Sequence, residues 1–266
     1  MELAASLSVW SGYARIALQR QLVYRFANWS GLFANAFFLY FRAYALRACF
    51  AERATIGGLD AHQVVTYVTV SQALLMVIPQ WGRVGVAESV RSGQIAIDLS
   101  RPVDYIGVQL AQRAGVSLYY LGVRAVPVLF LGALGGFLRL PGWAPLPTIL
   151  VSIALAAWIA HLLLLLIELS SFWFGSEQGI RWLVLGLSSL FSGLILPISF
   201  FPNWAQTISR FLPFEQTLYL PTKIWIGDVD NLALAVGIQL LWALGLTVVT
   251  QLIFRAGRRQ LLIHGG

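Results

Sequence analysis

Beyond hydroxyls and one lysine, this 266-residue chain offers three histidines, one cysteine and eleven acids for acid–base, nucleophilic or metal chemistry. His62, His161 and His264 lie far apart, no HExxH pair occurs, and no two carboxylates are arranged for paired acid–base work. A loop that cradles ATP phosphates needs glycine-rich backbone amides followed by Lys and then Ser or Thr. The single lysine, Lys223, stands in Thr-Lys-Ile with no glycines before it, so the chain carries no Walker A motif of its own. Cys49 is alone, which excludes an internal disulfide and a cysteine-based metal site. A Ser/His/Asp assembly needs only proximity in space, and nothing in the spacing points to one. What remains are ionisable groups stranded in apolar surroundings, where they are costly and often functional. His161 and Glu168 are seven residues apart and share a helical face. Arg124 is a candidate partner, and depth counted along each helix sets it level with His161 rather than Glu168. Arg124, His161 and Glu168 are therefore candidates for a polar substrate path. The plainer alternative has Glu168 capping contacts near the cytosolic gate and Arg124 snorkelling outward. Arg42 and Arg47 read as headgroup anchors.

The elements that must position these groups are apolar. The chain is 58% hydrophobic and 11% charged, with a mean hydropathy of +0.75. Residues 61–82, 140–167, 182–209 and 231–254 contain no Asp, Glu, Lys or Arg. Residues 27–41 extend to Phe50 if Arg42 and Arg47 are admitted, and 106–138 hold only Arg113 and Arg124. About 20 such residues span the hydrocarbon core as a helix. The pattern predicts an all-α integral membrane protein, a single polytopic transmembrane domain over 1–266 with six transmembrane helices at 26–50, 61–82, 106–138, 147–174, 181–200 and 231–254. Gly132 and Gly136 give a GxxxG spacing on the third span, and Pro127 breaks it.

Between the spans, residues 1–25 read as a cytosolic or interfacial helix, since Leu7, Trp10, Ala14, Ala17, Leu18 and Leu22 share a face. Residues 83–105 form the longest polar connection. Ser92-Gly93 stops a first short helix, Val84–Arg91, and Arg101-Pro102 follows a second, Ile95–Leu99. Residues 201–230 are apolar yet punctuated by Pro202, Pro213 and Pro221, which predicts a re-entrant outer hairpin before the last span. With both termini in the cytoplasm, eleven arginines fall inside and five basic residues outside, the orientation expected of a multi-pass protein of the cytoplasmic (inner) membrane. The net charge of +7 then reports anchoring to anionic lipid headgroups and not nucleic acid.

The stretch Glu88-Ser89-Val90-Arg91-Ser92-Gly93-Gln94-Ile95, with Asp98-Leu99-Ser100-Arg101-Pro102-Val103, resembles the permeases of the type-2 ABC exporter superfamily, and within it the viologen-exporter-like group. Ser192-Gly193-Leu194-Ile195-Leu196-Pro197 with Phe201-Pro202, Leu212-Pro213-Phe214 and Leu220-Pro221 is similar to that group's pattern at the end of span five. The likeness runs over essentially the whole chain. It implies a permease that borrows its energy from a separate ABC ATPase subunit, which would bind ATP and Mg, with no cofactor in this chain and no enzymatic activity of its own. By the resemblance, 83–105 is the cytosolic coupling segment, with Glu88, Arg91, Ser92 and Gly93 in contact with the ATPase. A second permease, a copy or a related chain, is expected across a dimer seam formed by spans one and five. The small and polar residues Asn28, Asn35, Ser188, Ser189 and Ser192 are the candidates for that seam. The expected cargo is a hydrophobic or amphipathic solute or a lipid. A membrane scaffold or assembly protein, or a gradient-driven carrier, is the alternative, though a carrier calls for more buried acids than Glu168.

Overall fold

The structure, a computed structural model, describes residues 2–23 and 25–264, with side chains described over 8–23 and 29–260. Helix α1 (Glu2–Gln21) leads into α2 (Arg25–Ala48). A small hairpin, β1 (Thr55–Ile56) against β2 (Leu59–Asp60), turns at Gly57-Gly58, both at positive φ. Asp60 then opens α3 (Ala61–Leu74) with a reciprocal cap. Its carboxylate accepts from the Gln63 amide at 2.7 Å, and the Gln63 side chain accepts from the Asp60 amide at 3.0 Å. Every residue of α3 from Val64 to Leu74 is buried, so this helix is the axis of the molecule. The apolar cluster around it draws Leu39 and Ala43 from α2 and Ala156 and Ala160 from the later span 140–167.

Segment 61–82 is helical only as far as Leu74 and then turns toward Gly82. Pro79 has no amide hydrogen with which to continue a helix. The groups released there are met by neighbours. The Ser117 hydroxyl donates to the Val77 carbonyl at 2.7 Å, and the Ser188 hydroxyl donates to Gln80 Oε1 at 2.8 Å.

Two short helices follow, α4 (Val86–Arg91) and α5 (Gln94–Ser100), hinged at Gly93 with φ +74. Next come α6 (Tyr105–Tyr120), a π-helical turn at Leu121–Ala125, and α7 (Val126–Leu134). Pro127 therefore does not end the span. The Val126 amide donates to the Leu121 carbonyl, five residues back, and the added residue lets one helix run unbroken from Tyr105 to Leu134. On α7, Gly132 leaves no room for a Cβ against Thr69 of α3, whereas Gly136, at φ +70, lies beyond the helix end in open space. Helix α1 lies along α6, where Gly115 abuts the backbone of Ala14 and Gly107 abuts Trp10. Trp10 and Ala14 of its apolar face are thus turned toward a protein partner, while Ile16 and Leu22 stay exposed. Leu7 lies outside the residues whose side chains are described.

The chain continues through α8 (Leu146–Leu169), α9 (Ser171–Phe174), α10 (Gln178–Phe191), α11 (Asn203–Arg210), α12 (Tyr219–Trp225) and α13 (Leu232–His264). Helix α10 stops at Phe191, and the chain unwinds through Gly193 to Pro197. Carbonyls released at apolar depth need donors from the protein. Arg42 of α2 supplies them, donating to the carbonyls of Leu194 and Ile195 and to Gln72 Oε1, while the Tyr67 hydroxyl donates to the Gly193 carbonyl at 2.7 Å. Arg42 is thus no headgroup anchor: a broken helix end holds its guanidinium.

Among the described residues, three helical stretches, Tyr105–Leu134, Leu146–Phe174 and Leu232–Gln260, are long and apolar enough to cross a membrane by length and composition. Of the other expected spans, 26–50 is α2 with its arginines, and 61–82 and 181–200 contain the short helices α3 and α10. The outward faces of the long helices are rows of exposed Leu, Val and Phe, such as Leu241, Leu244, Val248 and Leu252 on α13. Lipid is the solvent that suits such a surface. The chain is an all-α membrane protein.

Candidate functional site

Helix α4 is too short to hold itself together, and its sequence offers no side-chain cap: the residue before it is Gly85, at φ +101. The cap comes from another helix. Glu168, near the end of α8 and 1% exposed, accepts from the consecutive amides of Val84, Gly85 and Val86, the last two at 2.7 Å. Only a backbone with positive φ at Gly82 and Gly85 curls three successive N–H groups onto one carboxylate. Arg181, at the start of α10, completes the arrangement. Its Nη2 lies 3.0 Å from Glu168 Oε1, and its Nη1 donates to the Gly82 carbonyl.

A second buried carboxylate, Glu177, holds the other end of α4. It receives Arg91 Nη1 at 3.0 Å and lies 3.5 Å from Arg181 and 3.8 Å from Arg83. Desolvation alone would raise its carboxyl, but a backbone hydrogen bond and the three arginines outweigh that and hold it below the ordinary carboxylate range. The apolar side of the segment is fixed too, since Val86 and Ile95 pack into a cluster with Ile106, Leu165, Leu169, Phe172 and Phe254. Left facing outward are Glu88, with 72% of its side chain exposed, the flank of Arg91, Ser92 and Gly93. Glu88 and Arg91 pair at 2.6 Å, and this bond heads the influences that raise the guanidinium's pKa above its usual value. The result is a small charged helix with one free face and both ends bound to α8 and α10.

The three residues assigned to a polar path go to three different places. Glu168 sits in the α4 clasp. His161 Nε2 lies 3.0 Å from Ser117 Oγ on α6. Arg124 is buried between spans one and three, its guanidinium over the Tyr120 ring and against Gly31, so it does not snorkel outward. The proposed seam residues also point inward. Asn35 accepts from Gln72 of α3, Ser188 bonds Gln80, and Ser192 is fully buried, so within this chain the three pack against their own helices. Ser189 is half-buried, and the side chain of Asn28 lies outside the described residues. The exposed face of α2 carries Trp29, Phe33, Phe37 and Phe41 at helical spacing instead.

Sequence reasoning missed Glu177 and Arg181 as members of the site. One signal was available: Glu168 and Glu177 are the only acids between Asp104 and Glu215, and both flank one inner turn.

Residues 35–265 match the family model described as ABC-2 family transporter protein. The chain belongs to that family and is a membrane permease of the ABC type. No curated protein and no solved structure matches the chain.

Proposed function

We propose that this chain is the permease subunit of an ATP-driven exporter, moving a hydrophobic or amphipathic solute or a lipid out across the cytoplasmic membrane. A separate ABC ATPase would bind ATP and Mg and dock on the free face of α4 and α5, around Glu88, Arg91, Ser92 and Gly93. Both termini and this face would lie in the cytosol. One observation carries the reading: the same short helix that offers the free face is gripped at its N-terminus by Glu168 and Arg181 and near its end by Glu177. A push on α4 therefore reaches α8 and α10 without slack, as rigid-body coupling requires. A second permease would complete the pathway, and the aromatic ridge of α2 is the face that suits it.

The test is co-purification. Membranes from the native host, solubilised with the tagged chain, should yield an ATPase carrying Walker motifs. Glu88→Ala should insert and fold normally and lose that partner. An unchanged yield of the ATPase with Glu88→Ala would refute the docking face.

A further inference from the structure

A cavity of about 440 Å³ lies between α1, the turn that precedes α4, and α6. Arg20, Arg83 and Arg113 line it, one from each of those elements, together with Trp81, Tyr120 and His161. No Asp or Glu contributes to the lining among the described residues. Arg20 and Arg113 have no ion-pair partner among the described residues, and Arg83 has only the distant edge of Glu177 at 3.8 Å. Arg20 and Arg83 are exposed, and Arg113 is half-buried within reach of the Glu168 charge, so the mouth of the cavity carries an excess of positive charge that an anion would share.

A second observation also points to a ligand. His161 is 5% exposed. The proton of Ser117 Oγ is committed to the Val77 carbonyl, so His161 Nε2 must donate to that oxygen. His161 Nδ1 is then a buried acceptor with no partner among the described residues, and it suits a ligand that brings a proton, such as the P–OH of a singly ionised phosphate monoester, and not a carboxylate. Around this polar floor stand Trp81 and Tyr120, side chains with an apolar body and a polar edge that suit the boundary between headgroup and acyl chain. Arginines suit the head and the aromatics suit the start of the chain.

We infer that this cavity binds the anionic head of an amphiphile, a phosphate monoester carried on an acyl chain, admitted alongside α1. Its occupancy is read at the α4 clasp. Arg83 is the shared element: it faces the cavity, lies 3.8 Å from Glu177 and donates to Gln178 Oε1 at 3.3 Å, while the next residue, Val84, gives its amide to Glu168. A head group that draws Arg83 inward pulls on the turn from which α4 starts. The binding claim stands on the cavity alone, and the link to ATP hydrolysis rests on the permease reading above.

The experiment is ligand binding to the full-length protein in phosphatidylcholine nanodiscs, with dioctanoyl phosphatidic acid as probe and inorganic phosphate as competitor. The intact protein should bind the probe saturably. Arg20→Gln with Arg113→Gln should weaken binding about tenfold or more, since two charge-assisted contacts are lost. Arg210→Gln, on the far hairpin, should stay within about threefold of the intact protein, and Arg113→Lys, which keeps the charge but loses the planar fork, should fall between the intact and doubly substituted proteins. Failure of millimolar phosphate to displace the probe assigns the site to lipid, whereas displacement at equal concentration assigns it to a free anion; either supports the anion site. Equal binding by the intact and doubly substituted proteins, or equal loss with Arg210→Gln, overturns it. If binding follows the prediction but the probe leaves ATP hydrolysis by the co-purified ATPase unchanged, the coupling reading fails and the site survives.

Discussion

Arg181 lies 3.0 Å from Glu168 in a pocket where both are almost fully buried, and the carboxylate of that pair is the N-terminal cap of a helix eighty residues earlier in the chain. A buried pair of this kind is weak evidence for stability in itself, because desolvation offsets the Coulomb attraction. Breaking it by removing one member is a different matter. Glu168→Ala would leave three amides without their acceptor and Arg181 with only the Gly82 carbonyl and the more distant Glu177, and should cost about 3–5 kcal/mol. Glu168→Gln keeps one acceptor oxygen and should cost about 1–3 kcal/mol. Thermal unfolding in detergent measures both, and a loss below about 0.5 kcal/mol for the alanine variant would contradict the clasp.

Glu88 and Arg91 separate docking from clasping. Glu88 is exposed and bonds only Arg91 and solvent, so Glu88→Ala should leave stability within about 0.5 kcal/mol while reducing ATPase association. Arg91→Ala removes the Glu177 contact as well, and it should raise hydrogen exchange across α4 in addition to weakening the partner. Identical exchange profiles for the two variants would refute this division of roles.

The pH response follows from Glu177. Its folded-state pKa is depressed, so its stabilisation is fully present above the unfolded-state value and is lost as pH falls through the folded one. Exchange protection in α4 should therefore be flat from about pH 8 to about pH 5 and decline only at more acid pH. Glu177→Gln should give lower protection above that pH and a smaller acid step, the remainder belonging to the Glu168 cap. A step near neutrality in the intact protein would assign the transition to another group.

Much of this was legible in the chain. Ser92-Gly93 and Arg101-Pro102 mark the ends of α4 and α5 because a glycine at positive φ and a proline act locally. The six apolar segments marked a membrane protein for the same kind of reason, since apolar length is a local property. What a residue faces is not. Glu168 was weighed against Arg124 on the assumption of straight, parallel spans, whereas its partner sits thirteen residues on, past the turn at Gly175. Asn35, Ser188 and Ser192 carry the small, polar signature of close helix packing, and that signature is the same whether the neighbour belongs to this chain or to another. Arg42 looked like an interfacial anchor because the unwinding of α10 after Phe191, which creates the carbonyls it serves, depends on the packing of Tyr67 and Tyr219 around Gly193.

The break in span five gives its own prediction. Tyr67→Phe removes the donor to the Gly193 carbonyl in a fully buried setting and should cost about 1–3 kcal/mol. Gly193→Ala combines positive φ with a clash against the Tyr67 hydroxyl and should cost at least as much. Thermal unfolding reads both, and an unaffected Gly193→Ala variant would show that the unwound segment is not held as described.

The central claim is that movement of α4 is transmitted to the spans through Glu168 and Arg181. Its most direct measurement uses Trp204→Cys in a Cys49→Ser background, reacted with an impermeant maleimide with and without ATP in membranes that contain the partner ATPase. Trp204 is exposed on α11, beyond the broken end of α10, so its accessibility reports the far side of the molecule. The account predicts an ATP-dependent change in labelling that disappears when Glu168→Gln and Arg181→Gln are added, although the ATPase still co-purifies. A full ATP response in the doubly substituted protein would contradict it.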